Sequence, residues 1–496
     1  MGKNDIRVQY SGFIIFAAKF LSIFTGLTFQ LMIARCVTSE EYGVWFNIND
    51  VLLYFVLFSS VLPFWAMRFA ARGARGAIKT GVLANVVLSL ISAVFYSVTV
   101  KLTAPMLGVG KYISIYMLAT FLIIQYYLVT ALEEFSRARK PQALGYGLLI
   151  SELTRVIFGY ITIIGYGEPL RGAVASTILA VAVQVVYYIS IFKDELRERV
   201  EWGYIKEWIK GSVLNIYSIV GSQIANFVFI ILFTYGGEKA RGYYGAAAQI
   251  STVITYSSFL AFALYPKLLS KRNDQDIIQS LKTVLMFALP MTFGALSMAD
   301  SYLAMLRSEY RIAQPVLTVL AFDAFIATMC NFLSFILYGL ERVDEKADIP
   351  FLKLIRSRIF MGFSLVYLQA AISLPLTFYI LTTYCQAQPL QAALLVAIIN
   401  SSARFATFII LYLIVKRMIS IKIPWENVIK YALASAVMAS VLYIMPKPER
   451  IHQTLGLTAL GGVMYVGITY MIDNECRKLI WNAWHEIKVK LGIIVS

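Results

Sequence analysis

Fourteen predominantly apolar runs, each about 20 residues long, follow one another along this chain and leave room for little else. A helix of that length crosses roughly 30 Å of hydrocarbon, so each run reads as a bilayer-spanning helix. They centre on 10–34, 43–67, 80–100, 112–132, 142–166, 172–192, 211–234, 243–265, 281–300, 313–339, 359–383, 388–415, 427–445 and 453–472. The composition agrees: 59% hydrophobic and 15% charged residues lie far from a soluble globular average. The first run is longer than a signal-peptide core and has no small-residue cleavage site behind it, so it is expected to be retained.

Basic residues concentrate in the cytoplasmic connections of membrane proteins. Even-numbered connections and the two termini, with the span edges beside them, hold 31 of the 44 Lys and Arg, odd-numbered connections hold 10, and three lie deep within spans. Both termini are therefore expected in the cytoplasm, with the protein in the cell (cytoplasmic) membrane. The same asymmetry accounts for the net charge of +16 as a rim facing anionic headgroups. With no soluble domain left to carry it, a nucleic-acid partner is not expected. Cys36, Cys330, Cys385 and Cys476 show no C-x-x-C spacing, and only His452 and His485 are present, so no metal site, disulfide framework or cofactor is expected.

The chain also resembles itself. Tyr42-Gly43 follows span 1 and Tyr244-Gly245 follows span 7; the next spans end in Leu62-Pro63 and Tyr265-Pro266; Leu132-Glu133-Glu134 follows span 4 and Leu340-Glu341-Arg342 follows span 10. Matches in one order at nearly one offset point to a duplicated six-helix unit, and an even number of spans gives parallel repeats. The expected fold is an all-α polytopic membrane protein of 14 transmembrane helices: two six-helix lobes, 1–192 and 211–416, plus helices 13 and 14 within 417–474. The linker 193–210 carries Leu196, Val200, Tyr204 and Trp208 at helical spacing among charges, as in an amphipathic cytoplasmic helix; a solvated linker is the alternative. Ile480, Trp484, Ile487 and Leu491 repeat the pattern in a basic interfacial tail, 475–496.

Charge inside a bilayer costs several kcal/mol and usually faces a wet cavity or a partner. Lys19, Arg155 and Arg404 are the three such basic residues, and Asp50, Glu152 and Asp323 match them in number. Glu152 precedes Arg155 by three residues and shares its helical face, so an ion pair competes with a cavity role there. Lys19 has no acid at helical spacing; its alternative is snorkelling to headgroups. Arg404 follows the polar Asn400-Ser401-Ser402, and pairing with Asp323 is its main alternative. Asp50 is open to binding a coupling cation, H+ or Na+, or to closing a gate with a basic partner. Pro63, Pro266, Pro290 and Pro375 are candidate kinks.

Fourteen spans with cytoplasmic termini, the Glu40-Glu41-Tyr42-Gly43 turn, Val61-Leu62-Pro63-Phe64 followed by Arg68, and the 6+6+2 organisation resemble polysaccharide flippases of the Wzx type. These belong to the multidrug/oligosaccharidyl-lipid/polysaccharide exporter superfamily. The resemblance implies two lobes around a cavity, alternating access, and translocation of a polyprenyl-diphosphate-linked glycan for polysaccharide biosynthesis, with helices 13 and 14 bordering a groove for the lipid tail. A diphosphate suits Lys19, Arg155 and Arg404. Gln223, Asn226 and Gln249 suit sugar hydroxyls, although interhelical packing is the commoner use of such residues. The partners are then the lipid-linked glycan and membrane lipids, and a monomer is expected.

Two rivals differ in mechanism. A multidrug or cation antiporter of the same superfamily typically stops at twelve helices and relies on acidic residues in the first lobe, where this chain places Lys19. A membrane glycosyltransferase or polymerase finds only Asp274-Gln275-Asp276, in a loop too short for a nucleotide-binding domain. No catalytic constellation can be assembled, so an enzyme is not expected.

Overall fold

Hydrocarbon offers a peptide group no hydrogen bond, so a spanning segment must satisfy its backbone internally. The computed structural model describes residues 8–261, 274–340, 357–385, 387–419, 422–448, 450–478 and 481, and among these every long element is a helix. In chain order they are α1 (Val8–Cys36), α2 (Ser39–Ala71), α3 (Ala77–Met106), α4 (Gly110–Arg137), α5 (Gln142–Gly165), α6 (Pro169–Ile191) and α7 (Asn215–Gly236). Then follow α8 (Glu238–Thr255), α9 (Asp274–Ser297), α10 (Ser308–Leu340), α11 (Phe360–Thr383), α12 (Pro389–Lys416), α13 (Trp425–Ile444) and α14 (Ile451–Ile472). Twelve of them, α2–α7 and α9–α14, are long and apolar enough to cross a membrane. Helices α1 and α8 occupy the first and eighth expected positions. This is an all-helical polytopic membrane protein. Val94, Phe95 and Leu102 of α3 are among the large apolar side chains turned outward, as lipid contact requires.

The chain forms two compact units. The first takes in the chain through Gly245 and the stretch Val366–Val396, and the second the remaining described residues, so that α8, α11 and α12 contribute to both. In the first unit α1 packs along α5, α5 and α4 pack on α6, and α3 packs on α4. In the second, α9 packs on α13 and α10, and α13 on α14. Its core is built by Leu281 and Val284 of α9, Phe332 and Ile336 of α10, Val415 of α12 and Tyr431 of α13.

Among the expected kinks, Pro63 has an identifiable consequence. A proline lacks the N–H that would bond the carbonyl four residues back, here that of Ser59. Helix α2 tightens to a 3-10 turn over Leu57–Ser60, and Asn85 Nδ2 from α3 donates to Ser59 O at 2.8 Å and to Tyr127 O at 3.0 Å. Tyr127 Oη in turn donates to Phe55 O at 3.2 Å. The second unit carries a 3-10 turn at the matching place beyond α8, Tyr256–Ala261. Pro266 lies outside the described residues, whereas Pro290 and Pro375 sit inside α9 and α11. Because Asn85 is fully buried, Asn85→Leu is expected to lower stability by about 1–3 kcal/mol, the cost of stranding a buried carbonyl. Thermal unfolding in detergent measures it, and an unchanged midpoint would show that the turn needs no such support.

The linker departs from its expected orientation. Residues Gly203–Gly211 do form a helix, but Tyr204 and Trp208 face protein, not lipid: Trp208 is fully buried, with its ring centroid 5.8 Å from that of Phe69 on α2. Four of the apolar residues read as an interfacial tail, Ile480, Trp484, Ile487 and Leu491, lie outside the described residues. Asp274 and Asp276 form the first turn of α9, where the helix dipole favours carboxylates without any metal.

Candidate functional site

Asp50, Glu152 and Asp323, the three carboxylates expected deep within spans, each face an arginine. On α5, Arg155 Nη2 lies 2.6 Å from each oxygen of Glu152, and Thr25 Oγ1 from α1 donates to Glu152 Oε2 at 2.8 Å. The Arg155 guanidinium also lies over the Phe29 ring, 5.1 Å from its centroid. In the second unit, Arg404 Nη1 of α12 stands 2.9 Å from Asp323 Oδ2 of α10. The pairing weighed from sequence is thus present in both cases.

The third pair joins Asp50 to Arg241, a residue counted from sequence as part of a connection. Arg241 belongs to the first turn of α8, where a cation sits against the positive end of the helix dipole and needs compensation. Asp50 of α2 supplies it with a two-pronged contact, Nε to Oδ2 at 2.7 Å and Nη2 to Oδ1 at 2.9 Å. The guanidinium is further enclosed by the rings of Phe46 and Phe229, each 4.7 Å away at the centroid. A charge at a helix start, beside the aromatic-rich Tyr243-Tyr244, was the available sequence signal; its partner 191 residues away was not readable.

Two glycines let α2 and α8 meet this closely. A Cβ on Gly43 would stand 1.9 Å from the Glu238 carbonyl oxygen, and one on Gly242 would stand 2.3 Å from that of Ser39. A Cβ on Gly245 would stand 2.1 Å from the Phe46 ring of α2, so both repeated Tyr-Gly pairs lie at this crossing. Thr38 starts α2 with a capping box: its Oγ1 accepts from Glu41 N at 3.2 Å while its own N–H donates to Glu41 Oε2 at 3.0 Å. At the rim, Lys239 Nζ meets Glu40 Oε1 at 2.9 Å. Burial, reinforced by Glu40 and Glu41, holds the Glu238 carboxyl above its usual range against the pull of Lys111.

Exposure separates these pairs chemically. The side chains of Arg155 and Arg404 remain 26% and 28% accessible, whereas that of Arg241 is 6% accessible. The first two guanidinium side chains are partly open to their surroundings, and the third is sealed. Arg68 of α2 is half-buried beneath its neighbours, 4.3 Å from the Phe64 centroid and 4.8 Å from that of Trp65, and makes no ion pair among the described residues.

The remaining candidates are placed as follows. The helical backbone of α1 is described at Lys19, but its side chain lies outside the described residues. Gln223 and Asn226 are half-buried on α7, and the backbone carbonyl of Gln223 accepts from Tyr54 Oη at 3.0 Å, tying α7 to α2. Gln249 is half-buried on α8, within the second unit.

No family model matches the chain. Over 268 residues it is 22% identical to the probable lipid II flippase MurJ of Aquifex aeolicus (strain VF5), a stretch that is 51% of this chain and 49% of that protein. The chain thus spans about half the length of this curated relative. Its fold is similar to that of a lipid II flippase MurJ in an inward closed conformation, with a TM-score of 0.69 at 15% identity, covering 94% of this chain and all of that one. It is also similar to an inward-facing multidrug resistance MATE family transporter of the MOP superfamily, with a TM-score of 0.57 at 13% identity, covering 80% and 95%. The chain therefore has the fold shared by the MurJ flippase and MATE transporters.

Proposed function

We propose that this protein is a flippase of the MOP superfamily, of the Wzx type, that carries a polyprenyl-diphosphate-linked saccharide across the cytoplasmic membrane by alternating access. The observation that carries the reading is a fold similar to that of a lipid II flippase along nearly the whole chain. In this reading all fourteen helices span, both termini are cytoplasmic, and residues 1–192 and 211–416 form parallel six-helix lobes followed by α13 and α14. The protein works as a monomer.

Lys19 and Arg68 in the first lobe and Arg404 in the second receive the diphosphate, and Arg155 exchanges Glu152 for a phosphate oxygen. Gln223, Asn226 and Gln249 hydrogen-bond sugar hydroxyls. Asp50 and Arg241 close one gate, while Glu152 and Asp323 release their arginines when H+ or Na+ couples to the cycle. A cationic-drug antiporter is disfavoured because Asp50, Glu152 and Asp323 are all engaged by arginines.

Reconstituted protein is expected to expose a labelled lipid-linked oligosaccharide to an external probe without altering it chemically. Lys19→Ala should lower the rate at least tenfold. Arg404→Gln combined with Asp323→Asn, which strands no charge, should do the same while the protein stays inserted with a normal melting profile. Near-parental rates in both variants would remove the cations from the substrate path, and extrusion of a cationic dye instead would establish the antiporter.

A further inference from the structure

The linker helix Gly203–Gly211 carries more exposed apolar surface than a solvated connection needs. Trp202 and Ile209 are 56% and 54% exposed, and Val213, just beyond the helix, is 49% exposed. The opposite side is firmly docked on the first unit. Trp208 and Tyr204 lie against Phe69, Tyr204 Oη donates to Arg75 O at 3.4 Å, Glu201 N donates to Thr80 Oγ1 at 2.9 Å, and Ser212 Oγ donates to Val61 O at 3.2 Å. The exposed stripe is therefore held in one orientation and is not free to turn inward.

At about 100° per residue, the surface around this helix divides into consecutive sectors. Tyr204 and Trp208 face protein. Next come Trp202, Ile205 and Ile209, all apolar. Lys206 and Lys210 follow, both exposed, and then Gly203 and Glu207. Protein, apolar, cationic and finally polar is the order met on passing from a membrane protein's flank through acyl chains and headgroups to water. The stripe also runs on to Val213, at the start of the helical stretch that leads into α7.

We infer that Trp202, Ile205 and Ile209 insert into the leaflet at the foot of α7, with Lys206 and Lys210 binding anionic lipid headgroups there. The charge asymmetry of the connections names this leaflet as the cytoplasmic one. The linker then acts as a membrane-anchored strut seated on α2 and α3. The inference does not depend on which substrate is carried.

Protein in vesicles of phosphatidylcholine and phosphatidylglycerol provides the test. Phospholipid brominated near the headgroup should quench part of the tryptophan emission, and Trp202→Phe should remove part of that quenching while leaving quenching by aqueous acrylamide unchanged. Lys206→Glu with Lys210→Glu should weaken the association of spin-labelled phosphatidylglycerol, relative to phosphatidylcholine, by about fivefold per lysine. Trp202→Phe acting on acrylamide quenching instead would place the stripe in water. An effect on neither quencher would mean that protein, such as a second copy of the chain, covers it. Either outcome overturns the inference, and neither bears on whether a glycan is flipped.

Discussion

Asp50→Leu is expected to destabilise the protein by about 3–5 kcal/mol, because it leaves the Arg241 guanidinium buried without a counter-charge. Arg241→Leu should do comparable damage to the remaining carboxylate. The double variant is the informative one: with both charges gone, no ion is stranded, and leucines can fill space beside Phe46 and Phe229. Its loss should be far smaller than the sum of the two single losses. Thermal unfolding of the parent and the three variants in one detergent measures the coupling. Additive losses would mean that the two side chains act independently despite their 2.7 and 2.9 Å contacts. If the pair also closes a gate, the double variant should stay folded yet lose control of transport. A stable double variant that flips substrate at the parental rate would leave Asp50 and Arg241 with a purely structural role.

Gly43→Ala is expected to separate the starts of α2 and α8. The added methyl would meet a backbone oxygen at 1.9 Å, and a carbonyl cannot rotate aside as a side chain can. Overpacking of this kind typically costs about 1–3 kcal/mol and more where the backbone cannot yield. The Asp50–Arg241 geometry should loosen with it, since both contacts lie along the same pair of helices. In a cysteine-free background, Glu40→Cys and Lys239→Cys report the separation directly, because these positions form a salt bridge with N and O 2.9 Å apart. A short cross-linker should join them readily in the parent and several times more slowly with Gly43→Ala. Unchanged cross-linking together with an unchanged melting point would show that the crossing tolerates a side chain.

The charged positions differ in how readable they were, and the reason is distance along the chain. Glu152 and Arg155 stand three apart on one helix, so helical periodicity alone puts them on one face. Asp323 and Arg404 are 81 positions apart, yet their isolation in apolar runs made each a candidate partner of the other. Arg241 gave no such cue: at the edge of an apolar run it counts as one more loop cation, and only the crossing of α2 and α8 brings it to Asp50. The linker stripe failed in a different way. Leu196, Val200, Tyr204 and Trp208 share a spacing, but only Tyr204 and Trp208 lie on the helix that forms, and spacing does not say what covers its apolar face. Whether lipid or protein covers that face depends on what lies beside it, and here Phe69 lies beside Tyr204 and Trp208.

The apolar runs by themselves determined that the chain is helical and belongs in a membrane, because a segment in hydrocarbon has no water with which to satisfy its backbone. The proline at 63 likewise marked a break in α2, but Glu40-Glu41-Tyr42-Gly43, read from sequence as a turn, lies inside α2 behind the capping box at Thr38. Only the tertiary structure decided that Arg241 goes to Asp50. Coulomb attraction and hydrogen bonding act across a few ångströms, and residues 191 apart reach that range only once their helices have packed. It is that packing, through Gly43 and Gly242, that makes Asp50 and Arg241 a sealed pair.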